Sequence, residues 1–163
     1  MATIIVEDGT IVPNANSYVS EAFLVAYAAD RGITLTGTDS VTIIKAMDYL
    51  ENLPQPFQGY KNEEIQPLQW PRTGVWIDGY DVDTDIIPSL LQQALCELCI
   101  GIDQGENPLQ IVGRSIKKES VGGISFDYAD GTRDTPYIKS AMYKLRKLIS
   151  VRSSGGNIVV ARA

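Results

Sequence analysis

The chain has 163 residues, of which 44% are apolar, and it carries 14 basic groups, 20 acidic groups and no histidine. This length and composition suit one compact globular domain and are not those of a disordered chain. Without histidine, Ser-His-Asp and Cys-His catalytic sites and histidine-ligated metal sites are excluded, so we expect neither an enzyme nor a cofactor.

The sequence also predicts the cellular compartment. No apolar run approaches the roughly 18 residues that a membrane span needs, and the first residues show no secretory signal. Two cysteines are too few for a disulfide framework. We therefore expect a protein that is made in the cytoplasm and contacts no membrane.

The net charge of −6 is divided unevenly along the chain. Residues 1–113 carry 4 basic groups against 16 acidic ones, whereas residues 114–163 carry 10 basic groups against 4 acidic ones. Such a division is typical of a nucleic-acid-binding tail or of a surface that meets an oppositely charged neighbour, which in a homo-oligomer can be the next copy, joined head to tail. The alternative is that both halves fold together and their charges mix on one surface.

The first helix is predicted by its end signals. After an extended lead-in over residues 1–16, Ser20 is a suitable N-cap, Glu21 lies in the first turn, and Gly32 follows the last turn. The residues expected on its buried stripe are Phe23, Ala26 and Tyr27.

The second helix is expected to begin after Thr38 or Ser40 and to end before Pro54. The residues expected on its buried stripe are Val41, Ile44, Met47 and Leu50.

Residues 54–87 form a long, proline-rich and irregular stretch, and loops of this length in a compact domain are usually functional or interaction surfaces. Trp70, Pro71 and Arg72 are predicted to anchor it, because the tryptophan buries a large apolar body and the proline holds Trp70 extended.

The third helix is expected to open at Pro88 and to end at Gly101 or Gly105. Cys96 and Cys99 fall near its middle, so the pattern favours two buried thiols over a redox pair or a metal site.

The densest acidic cluster precedes this helix and includes Asp81, Asp83 and Asp85. Their spacing imitates the start of a calcium loop, but Ile86 and Gln92 stand where the loop needs Gly and Glu. We therefore predict a solvated acidic loop and no metal site. A metal-dependent nuclease built on these residues is a third and weaker possibility.

A β-hairpin is predicted over about residues 114–129, because Gly122-Gly123 suits a two-residue turn. In this register Val121 faces Ile124, and Lys118 faces Asp127.

The last helix is predicted to open at Pro136. Its buried stripe consists of Ile138, Ala141, Met142, Leu145, Leu148 and Ile149. Its outer, basic face consists of Lys139, Lys144, Arg146 and Lys147. This face is a solvated surface, a contact for an acidic partner protein, or a site for DNA. Residues 153–163 follow as a flexible linker and a β-prone tail.

Together these patterns predict a mainly α fold. We expect one domain over residues 1–152, a small bundle of about four helices with one hairpin and extended terminal segments, followed by the tail. The residues predicted to contact partners are Arg146, Lys147, Arg152, Ile158, Val159, Val160 and Arg162.

Several motifs carry a resemblance to a known family. They are Val6-Glu7-Asp8-Gly9-Thr10, Asn14-Ala15-Asn16-Ser17-Tyr18-Val19-Ser20, Gly32, Gln66-x-Leu68-x-Trp70-Pro71-Arg72-x-Gly74, Ile87-Pro88, Ala94 and Glu97-Leu98. Over most of residues 1–105 the chain resembles a tailed-bacteriophage family often labelled DnaT-like single-stranded-DNA-binding protein, whose members resemble head–tail connector (adaptor) proteins.

The resemblance implies a structural virion protein of the neck. Such a protein forms a ring, commonly a dodecamer, between the portal protein and the tail or stopper protein, around a channel through which genomic DNA passes without sequence-specific binding. A closed ring needs two different complementary faces on each subunit, which the charge division would supply. The alternative is an accessory protein that binds single-stranded DNA through the basic helix.

Overall fold

The computed structural model describes residues 2–108, 118–121, 124–127 and 138–150. These ranges contain helices and short antiparallel strands. In chain order they are α1 (Glu21–Ala29), α2 (Asp39–Glu51), β1 (Tyr60–Lys61), β2 (Arg72–Thr73), β3 (Trp76–Ile77), β4 (Tyr80–Asp81), α3 (Ser89–Asp103), β5 (Lys118–Val121), β6 (Ile124–Asp127) and α4 (Lys139–Leu145).

The expected mainly α bundle is wrong, because the described residues form a small mixed α/β fold. The strands pair as three separate two-stranded antiparallel sheets, β1–β2, β3–β4 and β5–β6. Two of these sheets lie in residues 54–87, where we expected irregular chain. Trp70 and Val75 from that region are fully buried beside the helices. The core is therefore shared between the helices and this loop region.

The predicted ends of α1 are confirmed, but its predicted buried stripe is wrong. The Ser20 side chain accepts a hydrogen bond from the backbone N–H of Phe23 at 3.1 Å, and Gly32 has a φ of 69°. Leu24, Tyr27 and Ala28 are buried, whereas Phe23 is 41% exposed. The stripe is displaced by one residue, because α1 packs through Leu24 against α2 and α3.

The predicted stripe of α2 is only partly right: Met47 and Leu50 are buried, but Ile44 is only half-buried. Its buried apolar residues are Ile43, Ala46, Met47 and Leu50, whereas Val41 is exposed. The helix begins after Thr38, as one of the two predictions had it.

Helix α3 continues through Gly101 and ends at Asp103. Gly105 follows with a φ of 95°, which suits glycine at a helix end. Gly101 lies inside the helix, and Ile138 packs directly on it. A Cβ at this position would lie 2.6 Å from the Ile138 Cδ1 atom. The glycine thus permits close contact between α3 and the segment that leads into α4.

Helix α4 is shorter than predicted, but all of its predicted stripe except the half-buried Met142 is buried. After the helix the chain turns and pairs with residues 56–58. The Gln58 N–H donates to the Leu148 carbonyl at 2.8 Å, and the Ser150 N–H donates to the Pro56 carbonyl at 2.8 Å. Leu148 and Ile149 are therefore buried by an extended contact and not by a further helical turn.

Strands β5 and β6 pair in the predicted register, with Lys118 opposite Asp127 and Val121 opposite Ile124. Pro136, the boundary at residue 152 and the tail over 153–163 lie outside the described residues. In the described part of the chain, no helix is both long enough and apolar enough to cross a membrane.

Candidate interaction surface

Trp70 and Pro71 lie in the core and fix the loop region over residues 54–87. Trp70 is fully buried, its ring meets that of Phe57 edge-to-face at 6.0 Å, and its backbone N–H donates to the Tyr18 hydroxyl at 3.1 Å. The peptide bond between Trp70 and Pro71 is cis.

The buried Arg72 joins separate parts of the same loop. Its Nε donates to the Gln58 carbonyl at 2.7 Å, its Nη2 to the Gly59 carbonyl at 2.8 Å, and its Nη1 to the Gln69 carbonyl at 3.0 Å. Burial lowers the pKa of the guanidinium from its ordinary value. Because backbone carbonyl oxygens accept these hydrogen bonds, the guanidinium of Arg72 holds the loop in place and is not available to bind an anion from outside.

A half-buried carboxylate connects this loop to the helices. Glu51, at the end of α2, accepts hydrogen bonds from the Tyr18 hydroxyl and from the Gln69 N–H, the latter at 2.8 Å. Burial raises the pKa of the Glu51 carboxyl and that of the Tyr18 phenol above their ordinary values. The loop that carries Trp70 is therefore tied to both the lead-in segment and α2.

A cleft of about 660 Å³ opens beside this network. Its walls come from the end of α2, the start of the loop and the chain after α4. The lining residues are Glu51, Leu53, Pro54, Gln55, Pro56, Phe57, Gln69, Arg72, Ile149 and Ser150. The charged groups in this cleft already serve the network described above.

Four large apolar side chains of the same loop region project into solvent, and two of them, Trp76 and Tyr80, stand on opposite sides of the β3–β4 hairpin, because Trp76 lies opposite Asp81 and Tyr80 lies opposite Ile77. Tyr60 and Tyr80 are each 78% exposed, Ile65 is 87% exposed and Trp76 is 57% exposed. Our sequence analysis missed this hairpin. Its signal was Asp78-Gly79 between two pairs of strand-forming residues, which is a strong hairpin sequence. Both residues of that turn have positive φ, 53° and 87°, as the β3–β4 hairpin requires.

The basic face of α4 is only partly free. Lys139 and Arg146 are exposed, whereas the Lys144 Nζ donates to the Gln93 Oε1 at 3.1 Å and the Lys147 Nζ lies 2.6 Å from the Asp78 Oδ2. The structure therefore places two of the predicted cations against the acidic part of the chain.

The chain at the end of α4 also lies beside the β3–β4 hairpin. The Gln58 side chain donates to the Lys147 carbonyl at 2.7 Å and accepts from the Trp76 N–H at 3.3 Å. Lys147 is thus brought close to an exposed tryptophan that is 71 positions earlier in the chain. The other predicted contact residues lie outside the described residues; they are Arg152, Ile158, Val159, Val160 and Arg162.

The acidic loop and the two cysteines of α3 are the other places in the described residues where metal binding or thiol chemistry could occur. Asp81, Asp83 and Asp85 are exposed, and the described residues contain no group of three or more Cys, Asp or Glu side chains placed to hold a metal ion. Cys96 and Cys99 are free and buried. Burial raises the pKa of Cys96 to about 12 and raises that of Cys99 also. Neither thiol is therefore activated as a nucleophile.

Comparison with known proteins adds a family. A family model matches residues 2–163, which is nearly the whole chain. No match was found among curated proteins or among solved structures. These comparisons provide no evidence for a head–tail connector, whereas they bear out the family label that the motifs suggested. The chain belongs to the family described as "Putative DnaT-like ssDNA binding protein".

Proposed function

We propose that the protein is a head–tail connector of a tailed bacteriophage. In this proposal, copies of the chain form a ring in the virion neck, between the portal protein and the tail or stopper protein. The ring surrounds the DNA channel, and genomic DNA passes through it without sequence-specific binding. The observation that carries the proposal is the distribution of charge over the described residues.

Residues 2–108 contain 16 acidic side chains and 4 basic ones. Three of these four cations are already engaged, and one of them is Lys61, whose Nζ donates to the Gln66 carbonyl at 3.4 Å. Arg72 is bound to backbone oxygens, and Arg31 lies 3.3 Å above the Tyr27 ring and 3.8 Å from the Glu97 carboxylate. An acidic surface of this kind repels the phosphates of DNA, so it is suited to line a channel through which DNA moves without binding. It is also suited to contact a basic surface of a neighbouring protein.

The basic residues at the end of α4 are the contacts that we propose for a partner protein. Arg146 is exposed, and the ion pair between Lys147 and Asp78 joins two exposed side chains. Exposed ion pairs contribute little to stability, typically about 0.2–1 kcal/mol, so Lys147 can exchange Asp78 for a carboxylate of a partner. The residues proposed to contact a partner protein with it, either the portal or a neighbouring copy, are Arg152, Ile158, Val159, Val160 and Arg162.

The second candidate is an accessory protein that binds single-stranded DNA. The family description names this activity, so it supports this candidate more directly than it supports the connector. One structural observation also favours it: Trp76 is exposed near Lys147, and single-strand binding combines cations with aromatic rings on which bases stack.

A fluorescence titration separates the two candidates. The chain has two tryptophans, and Trp70 is fully buried, so oligo(dT) that stacks on the protein would change the emission of Trp76. The connector predicts no binding at low salt. Single-strand binding predicts quenching whose log affinity falls with log salt at about −0.7 per neutralised phosphate. Trp76→Ala should then weaken binding, whereas Phe23→Ala on α1 should not.

A genetic test addresses the connector itself. A phage that lacks this chain should make filled heads and separate tails that do not join, and supplying the chain in trans should restore particles. If phage that lack this chain still form infectious particles with heads joined to tails, the proposal is contradicted.

A further inference from the structure

We infer that the exposed face of α1 binds the same face of a second copy of this chain, with the two helices antiparallel. A two-fold contact joins two copies and closes there, so this pairing is separate from the proposed ring and does not depend on it. It uses a surface to which neither candidate function assigns a role.

The solvent-facing side of α1 is apolar. Three residues of the helix are buried in the core, and the exposed ones are Ala22, Phe23, Val25, Ala26 and Ala29. Because successive residues are about 100° apart around a helix, these five lie side by side on one continuous surface, which we call the α1 face. It contains no polar or charged side chain, whereas the exposed side of a helix in a globular protein is ordinarily polar.

The large side chains of the α1 face are well exposed. Phe23 is 41% exposed and Val25 is 47% exposed. Val25 and Ala29 also line a groove of about 270 Å³, to which the half-buried Ile33 and Leu35 contribute, so the apolar surface continues beyond the helix. Covering apolar surface is favourable by about 25 cal/mol per Å², so the α1 face is suited to an apolar partner.

The chemistry of the α1 face favours a second copy over other occupants. The face offers no cation to a phosphate, so it does not suit nucleic acid. Glu21 and Asp30 stand at its two ends and repel the anionic headgroups of a membrane. A second copy brings an identical apolar face, and contact of one patch with itself is the commonest way in which identical chains pair.

The charge at the end of α1 selects the antiparallel arrangement. Asp30 is the C-cap residue, and in the part of the chain that the structure describes its exposed carboxylate has no hydrogen-bond or ion-pair partner. A helix C-terminus is partially negative, so this acid is repelled by its own helix. In an antiparallel pair centred between Val25 and Ala26, each Asp30 lies beside the first turn of the other helix, where partial positive charge attracts it. A parallel pair would place both acids at the same end.

We expect the pairing to be weak and to depend on concentration. Helix α1 has 9 residues and is about 13 Å long, so the contact is smaller than the roughly 800 Å² per partner of a standard interface. Three alanines along the middle of the α1 face allow the helices to approach closely, and Phe23 and Val25 on its sides add apolar area. These properties predict a dissociation constant of about 0.1 mM.

Disulfide trapping of the full-length chain tests the arrangement. Equal amounts of the Ala22→Cys and Ala29→Cys variants are mixed at about 0.2 mM and oxidised, and the linked peptides are identified by mass spectrometry. In the antiparallel pair position 22 lies opposite position 29 of the other copy, whereas like positions are about 10 Å apart along the axis and beyond the reach of a disulfide. We therefore expect disulfides between positions 22 and 29 to exceed those between like positions by about tenfold.

The background of this reaction is measured on α2. Lys45→Cys mixed with Asp48→Cys presents two exposed thiols on another helix and should give little linked product. The native Cys96 and Cys99 are buried, so they do not compete.

Sedimentation equilibrium of the chain between about 0.02 and 1 mM measures the pairing without cross-linking. Ala26→Glu places a charge at the centre of the α1 face and should weaken the dimer at least tenfold, whereas Lys45→Glu on α2 should leave it unchanged. Asp30→Asn should weaken it about fivefold, although the same change removes an acid from the C-terminus of its own helix and should not destabilise the monomer. Phe23→Ser tests the same face in case Ala26→Glu does not fold.

Three results would overturn the inference. They are a chain that stays monomeric up to about 1 mM, disulfides mainly between like positions, and a dimer that Ala26→Glu and Phe23→Ser both leave unchanged. None of these results affects the proposed function, which is tested by the presence of the chain in the neck of the particle.

Discussion

At the residue scale, the most heavily bonded acid in the lead-in segment is Glu7. It is 1% exposed, and its carboxylate accepts hydrogen bonds from the backbone N–H groups of Gly9, Ile11 and Val12 at 2.9, 3.0 and 2.9 Å. It folds the first residues into a tight loop. In this loop Gly9 packs so closely on residue 85 that a Cβ would lie 1.8 Å from the Asp85 carbonyl oxygen.

Glu7→Ala should lower the free energy of unfolding by about 2–4 kcal/mol, because it leaves buried N–H donors without an acceptor. Urea unfolding followed by circular dichroism measures the change. The matched control is Asp8→Ala, which removes an exposed carboxylate bonded to Thr10 and should cost much less. Equal losses in the two variants would show that Glu7 does not hold the loop.

Glu51 gives stability a defined pH dependence. Its folded-state pKa is raised above the ordinary value of 4.5, first by burial, while the bond from Tyr18 acts in the opposite direction. The folded state therefore binds more protons than the unfolded state between these two values. This contribution to stability is present below about pH 4.5 and is lost as the pH rises through the raised pKa.

Glu51→Gln should remove that contribution, because an amide does not titrate. Urea unfolding at a series of pH values from 4 to 8 should show a shallower fall of stability with rising pH in the variant than in the parent. The exposed Asp48→Asn on the same helix is the control and should leave the slope unchanged. Parallel curves for parent and Glu51→Gln would contradict the prediction.

At the element scale, the contact of α3 with α4 depends on Gly101. Gly101→Val should lower the free energy of unfolding by about 1–3 kcal/mol, because the added methyl groups would overlap Ile138 in a packed core. Lys45→Val, at an exposed position of α2, measures the separate cost of a β-branched residue in a helix. If the two variants lose the same stability, Gly101 is not a packing contact.

The ends of α1 and most of the buried stripe of α4 could be predicted from the sequence, whereas the buried stripe of α1 was placed one residue too early. The cap at Ser20 is local chemistry, so it was found. Contacts with α2 and α3 decide which residues of α1 are buried. Phe23 and Leu24 are both apolar, so the sequence of α1 alone does not show which of the two faces the core. The end of α3 was left open between Gly101 and Gly105, because nothing near Gly101 in the sequence reveals that Ile138 packs on it.

Strands β1 to β4 were not predicted from the sequence for a different reason. Prolines made residues 54–87 appear irregular, and the Asp78-Gly79 turn, which local chemistry could have identified, was not recognised. The buried roles of Glu7 and Glu51 could not be predicted, since each depends on backbone N–H groups brought to it by folding. The anchoring position of Trp70 was predictable from its size, whereas its cis bond to Pro71 was not.

At the scale of the whole molecule, the acidic and basic parts of the sequence are only partly separated in space. The basic α4 packs against α3, and Lys147 reaches Asp78 on the β3–β4 hairpin. At this contact the charges of the acidic and basic parts therefore lie together on one surface, as the alternative in the sequence analysis had it. In the part of the chain that the structure describes, the exposed loop acids and the exposed cations Lys139 and Arg146 are left for contacts outside the subunit, which is the basis of the connector proposal.

The most direct measurement is electron microscopy of purified particle necks at a resolution that traces the chain. The account expects a closed ring of this chain between portal and tail, with its acidic loops and basic C-terminal parts meeting across subunit boundaries. A traced neck in a mature, tailed particle with no density for this chain would contradict it.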